Sequence, residues 1–232
     1  MGLYERQQKE KKILEAAIRL FGDQGFEATK VSDVAKQAKI SKGLVYFYFK
    51  SKENLYMAIS KRGFDELKEV FNTSFIKNKD KSGIEVIAEL VEGYFDFIGE
   101  KKCYHEAILH FLKLLDEYNH NREKLNPMIL ESPYFNKLLS SHHDLAKMGI
   151  RAISLGIKDG SMRPDLQAET TFYTLWSMLL GKHLLDGSVL SEPKVIKINS
   201  ESWRNGFLKL FFEILKGSQQ QSQIKPIQGR LF

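Results

Sequence analysis

The chain has 232 residues, 43% of them hydrophobic and 28% charged, with a formal net charge of +6, which suits one large soluble domain or a small one followed by a medium one. No stretch approaches ~18 uninterrupted apolar residues, and residues 1–12 are polar where an export signal would be apolar, so neither a membrane span nor a signal peptide is expected. Cys103 is the only cysteine, which excludes an intramolecular disulfide and a cysteine-rich zinc site and points to the cytoplasm.

The elements read as helices from end to end. Ile13, Leu14, Ala17, Ile18, Leu20 and Phe21 recur at three- and four-residue spacing, the stripe of an amphipathic helix that stops near Gly25. Val31, Val34, Ala35 and Ala38 share one face of a short second helix, with Thr29 placed to cap it. Ile40 and Ser41 form a turn whose serine caps a third short helix over 42–49. A fourth begins at 51–54 and carries Leu55, Ile59, Phe64, Leu67, Phe71 and Phe75. After a charged connector at 77–83, Ile84, Ile87, Val91, Tyr94 and Ile98 make one stripe, and His105, Ile108, Phe111, Leu112 and Leu115 another. Residues 119–133 hold two prolines and read as a loop. Residues 134–159, 166–185 and 203–215 read as helices, with Gly160 and Pro164 as breakers and a loop around Pro193. No alternating strand pattern of useful length occurs, so the expected class is all-α. The expected division is a head at 1–53, a body at 54–217 and a mobile Gln/Ser-rich tail at 218–232.

The charge surplus sits in the head. Residues 1–60 hold eleven Lys/Arg against seven Asp/Glu, whereas the rest holds 24 against 22. A basic head on a near-neutral body suits a polyanion, although solvated lysine-rich helices give the same count. Residues 29–56, TKVSDVAKQAKISKGLVYFYFKSKENLY, place two short helices around a tight turn, a helix-turn-helix arrangement. At about 100° per residue, Val45 and Phe49 fall on one side of the second helix, able to pack on Val34, Ala35 and Ala38. Gly43 and Phe47 then point away, flanked by Leu44, Tyr46 and Lys50, with Lys42 and Tyr48 at the edges. Aromatics among lysines on an outward face suit bases, thymine methyls and phosphates, while Ser41 and the free N–H groups behind it suit a phosphate. The plain alternative is that these rings pack on the body, which is the expectation for Phe49 and part of Tyr46.

The stretch AIRLFGDQGFEATKVSDVA, the turn KQAKIS and the block KGLVYFYFKSKENLY together resemble the tetracycline-repressor family over roughly residues 8–60. The most specific part is Gly43, Tyr46, Phe49 and Lys52 at three-residue intervals. Lys39 stands where many relatives carry a turn glycine, and Val45 where a leucine is usual. The resemblance implies a homodimer that binds operator DNA through the head and a small-molecule effector through the body. It places Lys42, Gly43 and Leu44 nearest base edges, and Tyr46, Tyr48, Lys52, Thr29 and Lys30 at phosphates. GIKDGSMRPD, at 156–165, more weakly resembles the approach to the dimerisation helices.

The remaining constellations are less pointed. Glu106 and His110 lie one helical turn apart and His142 adjoins His143, but no chelating pattern appears, so no metal is expected. No phosphate loop and no nucleophile elbow occur, so neither catalysis nor a cofactor is expected. Aromatic side chains in a helical bundle are usually core. A subset lining an effector pocket would be Tyr94, Phe97, His105, Ile108, Phe111, Phe172 and Trp176, with Tyr94, His105 and Trp176 as polar handles. Phe172, Leu175, Leu179, Leu180, Phe207, Leu210, Phe211 and Leu215 make the last two helices apolar on more than one face, which suits a two-fold four-helix dimer interface. The expected function is a repressor released from its operator by a mostly apolar effector. The competing expectations are an activator or constitutive binder with the same head, and a helical adaptor whose head binds protein.

Overall fold

A computed structural model describes residues 2–77, 80–191 and 199–216. The expected tail at 218–232 and the expected loop around Pro193 lie outside the described residues. No strand occurs among them, and the all-α expectation holds. Ten α-helices follow in order: α1 (Leu3–Ala28), α2 (Val31–Gln37), α3 (Lys42–Phe49), α4 (Lys52–Lys77), α5 (Gly83–Glu100), α6 (Lys102–His120), α7 (Pro127–Leu130), α8 (Pro133–Asp159), α9 (Ala168–Ser191) and α10 (Ser200–Lys216).

The chain forms two compact units, Met1–Asp80 with Val86–Gly149, and Lys81–Glu85 with Ile150–Phe232. The head at 1–53 therefore shares its unit with α5, α6 and the first part of α8. Its core gathers the apolar stripe of α1 (Ile13, Ala17, Phe21) with Val34, Ala35, Val45, Phe49, Leu55 and Ile59, and Ala107 of α6 closes it. Each of these side chains is removed from water, which stabilises the unit by about 1.5–3 kcal/mol for each of the larger ones. α4 and α6 meet at small residues. A Cβ on Gly63 would lie 3.0 Å from Tyr104 Cβ, and the Ser60 hydroxyl donates to the Ala107 carbonyl at 2.6 Å.

The two prolines of the expected loop start helices. Pro127 opens α7 behind an Asn126 cap, Pro133 opens α8, and a 3₁₀ turn spans Arg122–Lys124. Proline lacks only an N–H that has no partner in a first helical turn, so it fits there. This short segment packs onto the head. Leu125 and Ile129 are buried, and the Asn54 amide donates to the Met128 carbonyl at 3.3 Å. Lys68 of α4 pairs with Asp144 of α8 at 2.9 Å.

In the second unit α5 begins hard against α8. A Cβ on Gly83 would stand 2.0 Å from the Gly156 nitrogen, so only glycine fits there. The Asp159 carboxylate accepts from the Gly83 N–H at 2.7 Å and the Ser161 N–H at 2.9 Å, which ends α8 and anchors α5 together. Phe211 and Leu215 of α10 and Leu175 and Leu179 of α9 are buried within this unit, while Leu210, Leu184, Leu185 and Tyr173 are exposed.

Candidate nucleic-acid interface

The head is built around α3. Ser41 caps it, its Oγ accepting from the Leu44 N–H at 3.2 Å. Val45 and Phe49 turn inward and are 1% exposed, which commits the opposite side to solvent. That side presents Lys42, Gly43, Tyr46, Phe47 and Lys50, with Phe47 61% and Tyr46 40% exposed. Large exposed aromatics on a soluble surface mark contact surfaces when they cluster with cations, and the Lys42 ammonium lies 5.8 Å from the Tyr46 ring. Leu44 is half-buried at the edge. No atom lies within 4 Å of a Cβ built on Gly43, so nothing in the fold itself requires glycine there.

The turn before α3 needs a left-handed residue. Lys39 adopts φ +55°, and the Ile40 N–H donates to the Ala35 carbonyl at 3.0 Å to close the turn. Lysine occupies this conformation at a cost that glycine avoids. Lys50, which caps the end of α3, also has a positive φ, +52°.

Three side chains expected to face DNA are placed differently. Thr29 neither caps α2 nor reaches solvent; Lys30 holds the cap position, without a side-chain bond. Thr29 is 1% exposed and its hydroxyl donates to the Gly25 carbonyl at 2.7 Å. The cause is Gly25, whose φ of +79° breaks α1 and turns its last carbonyls toward Thr29. The Lys52 ammonium donates to the Phe26 carbonyl at 2.9 Å and sits 4.1 Å from the Phe26 ring, closing the end of α1. Tyr48 is half-buried against the head core, and its hydroxyl is buried without a hydrogen-bond partner. Ser41 keeps a solvent-exposed position but uses its oxygen on the cap. Lys30, Lys42, Gly43, Tyr46 and Phe47 remain open to solvent.

Sequence reasoning missed what holds α3 from behind. Tyr134 of α8 stacks on Phe49 at 6.4 Å and 20°, and its hydroxyl donates to the Glu10 carboxylate of α1 at 3.3 Å. Burial and that carboxylate push the Tyr134 phenol up to about 12. Nothing in the spacing of residues 119–134 signals this contact, because it joins residues far apart in the chain. His110 of α6 lies 5.0 Å from the Phe26 ring and 5.1 Å from Tyr56, bringing α6 against the end of α1.

Of the expected pocket residues, Tyr94, Phe97, His105, Ile108 and Phe111 lie in the first unit and are at most 4% exposed. Tyr94 Oη and His105 Nε2 are 2.8 Å apart. Phe172 and Trp176 belong to the second unit, where their rings stack at 6.3 Å. No group of three or more metal-ligating side chains occurs among the described residues, and no helix among them is long and apolar enough to cross a membrane.

Residues 13–59 match the family model of bacterial regulatory proteins of the tetR family. The HTH-type transcriptional regulator YuxN of Bacillus subtilis is 44% identical over 59 residues, which is 25% of this chain and 20% of YuxN. The HTH-type transcriptional repressor KstR2 of Mycolicibacterium smegmatis is 27% identical over 164 residues, 69% of this chain and 70% of KstR2. The chain thus spans about a fifth of the first of these relatives and over two-thirds of the second. Among solved structures, the transcriptional regulator FadR from Bacillus subtilis in complex with stearoyl-CoA superposes with a TM-score of 0.60 at 19% identity, covering 88% of this chain and 98% of that one. The matched residues run from within α1 to the first part of α4 and include the outward face of α3, so over this head the chain is similar to the tetR family of bacterial regulatory proteins, and its all-helical fold is that of the solved regulators.

Proposed function

We propose that the chain is a sequence-specific DNA-binding transcriptional regulator of the cytoplasm, a homodimeric repressor that a small, mostly apolar effector releases from its operator. It is not an enzyme in this reading. The observation that carries it is the outward face of α3, where Phe47 and Tyr46 stand exposed beside Lys42 and Lys50 on a helix whose other side is fully buried. A helix fixed in this way enters a major groove as a rigid unit. Lys42, Gly43 and Leu44 read base edges, Tyr46 and Phe47 meet bases and sugar–phosphate, and Lys30 and Lys50 meet phosphates. Thr29, Lys52, Tyr48 and Tyr134 act by holding the head in shape.

The effector is received in the first unit between α5 and α6. There Tyr94 and His105 form a polar pair in an otherwise apolar core, the kind of orienting group that ligand sites use. The FadR likeness supports an apolar chain with an anionic head, since that neighbour was solved with stearoyl-CoA. A ligand moves DNA affinity only by its differential affinity for two states, so a hundredfold release needs about 2.7 kcal/mol of coupling.

The test is fluorescence anisotropy on a duplex selected from a random pool by the wild-type chain. Lys42→Ala with Tyr46→Ala is expected to weaken binding by at least about tenfold, since a good base contact is worth roughly 1–3 kcal/mol. Unchanged affinity in a variant that melts like wild type would remove α3 as the reading helix.

A further inference from the structure

We infer that a second, separate face of the head grips the duplex. It is a groove of about 420 Å³ between α1 and the α2–α3 turn, lined by Lys9, Lys12, Glu15, Arg19, Gln37 and Lys39 among others. This rests on the reading of α3 as a DNA-binding helix, and adds phosphodiester backbone flanking the bases that α3 covers.

Charge identifies the occupant. Four cations line the groove against one carboxylate. That carboxylate, Glu15, already faces Lys11 at 3.9 Å, so a fifth cation offsets it. Among the described residues, no ion pair neutralises Lys12, Arg19 or Lys39, and all three are exposed. Geometry separates a polyanion from a single phosphate. At about 1.5 Å per residue, Lys9 to Arg19 runs roughly 15 Å along one side of α1, too long for one phosphate and matched to several successive phosphates of one strand.

Lys39 supplies an independent argument. Its backbone is held at φ +55°, where lysine is strained and glycine is not. Its side chain packs into no core, and it lines this groove. A strained residue whose side chain does nothing for the fold is best explained by what that side chain binds. The turn also joins directly to Ser41 and Lys42, so an anion held at Lys39 lies beside the start of the reading helix. The groove therefore lengthens the footprint and strengthens binding without selecting sequence.

The experiment uses the full chain and a duplex long enough to extend beyond the selected site, with anisotropy followed against salt. Lys12→Gln, Arg19→Gln and Lys39→Gly together should reduce the slope of log affinity on log salt by about 2.7 per head, roughly 0.9 for each phosphate no longer neutralised. The base preference should stay the same, and trimming the flanks of the duplex should reproduce the weakening with the wild-type chain. Lys39→Gly alone guards against misfolding: it should raise the melting temperature and yet lower the slope by about 0.9. Wild-type binding with an unchanged slope in the triple variant overturns the groove while leaving α3 in place. Absence of any duplex binding by the wild-type chain overturns the groove together with the reading it rests on.

Discussion

Gly43 separates what the fold needs from what binding needs. A methyl group there would meet nothing within 4 Å, and glycine inside a helix is destabilising relative to alanine. Gly43→Ala is therefore expected to stabilise the chain by about 0.5–1 kcal/mol, read by thermal or urea melting, while weakening operator binding because the methyl stands between α3 and the groove. Loss of stability without loss of binding would contradict both halves. Thr29 behaves in the opposite sense. Thr29→Val keeps the shape but removes the donor to the part-buried Gly25 carbonyl, and is expected to cost about 0.5–1.5 kcal/mol. The residue types on the outward face of α3 were legible in the sequence because a buried Val45 and Phe49 fix the rest by helical geometry. The roles of Thr29 and Lys52 were not. A cap preference looks forward along the chain, whereas both side chains reach back to the end of α1, whose direction depends on a positive φ at Gly25.

Among the elements, α6 carries the polar chemistry of the body. His105 pairs with Tyr94 inside the unit, and His110 meets Phe26 and Tyr56 at the head. His142 of α8 faces Phe64 of α4. Burial holds the imidazoles of His110 and His142 below their usual value, with Lys113 adding to the effect at the first and His143 at the second. Both folded values are depressed, so the fold favours the neutral rings. Their contribution is complete above the ordinary value of 6.5 and is lost as pH falls below it through the folded values. The melting temperature is expected to drop on acidification from about pH 7 to about pH 5, and His110→Gln with His142→Gln should flatten that slope. An equally steep slope in the double variant would place the titrating groups elsewhere. The number and order of the long helices were legible from their apolar stripes. The short turns at Arg122–Lys124 and Pro127–Leu130 were not, because a proline signals a break equally well whether it ends one helix or begins the next.

For the whole molecule, the proposed dimer is tested on the outer face of α9 and α10. The residues first expected at a dimer interface divide by burial. Phe211, Leu215, Leu175, Leu179 and Phe172 form the unit's own core, Leu180 and Phe207 are half-buried, and Leu210 is 61% exposed. Leu184, Leu185 and Tyr173 join Leu210 outside, giving four large apolar groups open to water on two adjacent helices. Periodicity alone showed that both helices are apolar on two sides, but not which side belongs to the protomer. Substituting Phe211 would therefore test folding, whereas Leu184→Glu with Leu210→Glu is expected to give a folded monomer in sedimentation, with DNA affinity reduced because only one head binds at a time. A variant that stays dimeric would move the interface elsewhere. The central claim, two identical reading heads on one duplex, is tested most directly by selecting bound sequences from a random duplex pool with the wild-type chain. The account predicts enrichment of an inverted repeat whose half-sites lie about one duplex turn, roughly 10–10.5 base pairs, apart or at a small multiple of it. Recovery of no preferred sequence, or of a single unrepeated site, would contradict it.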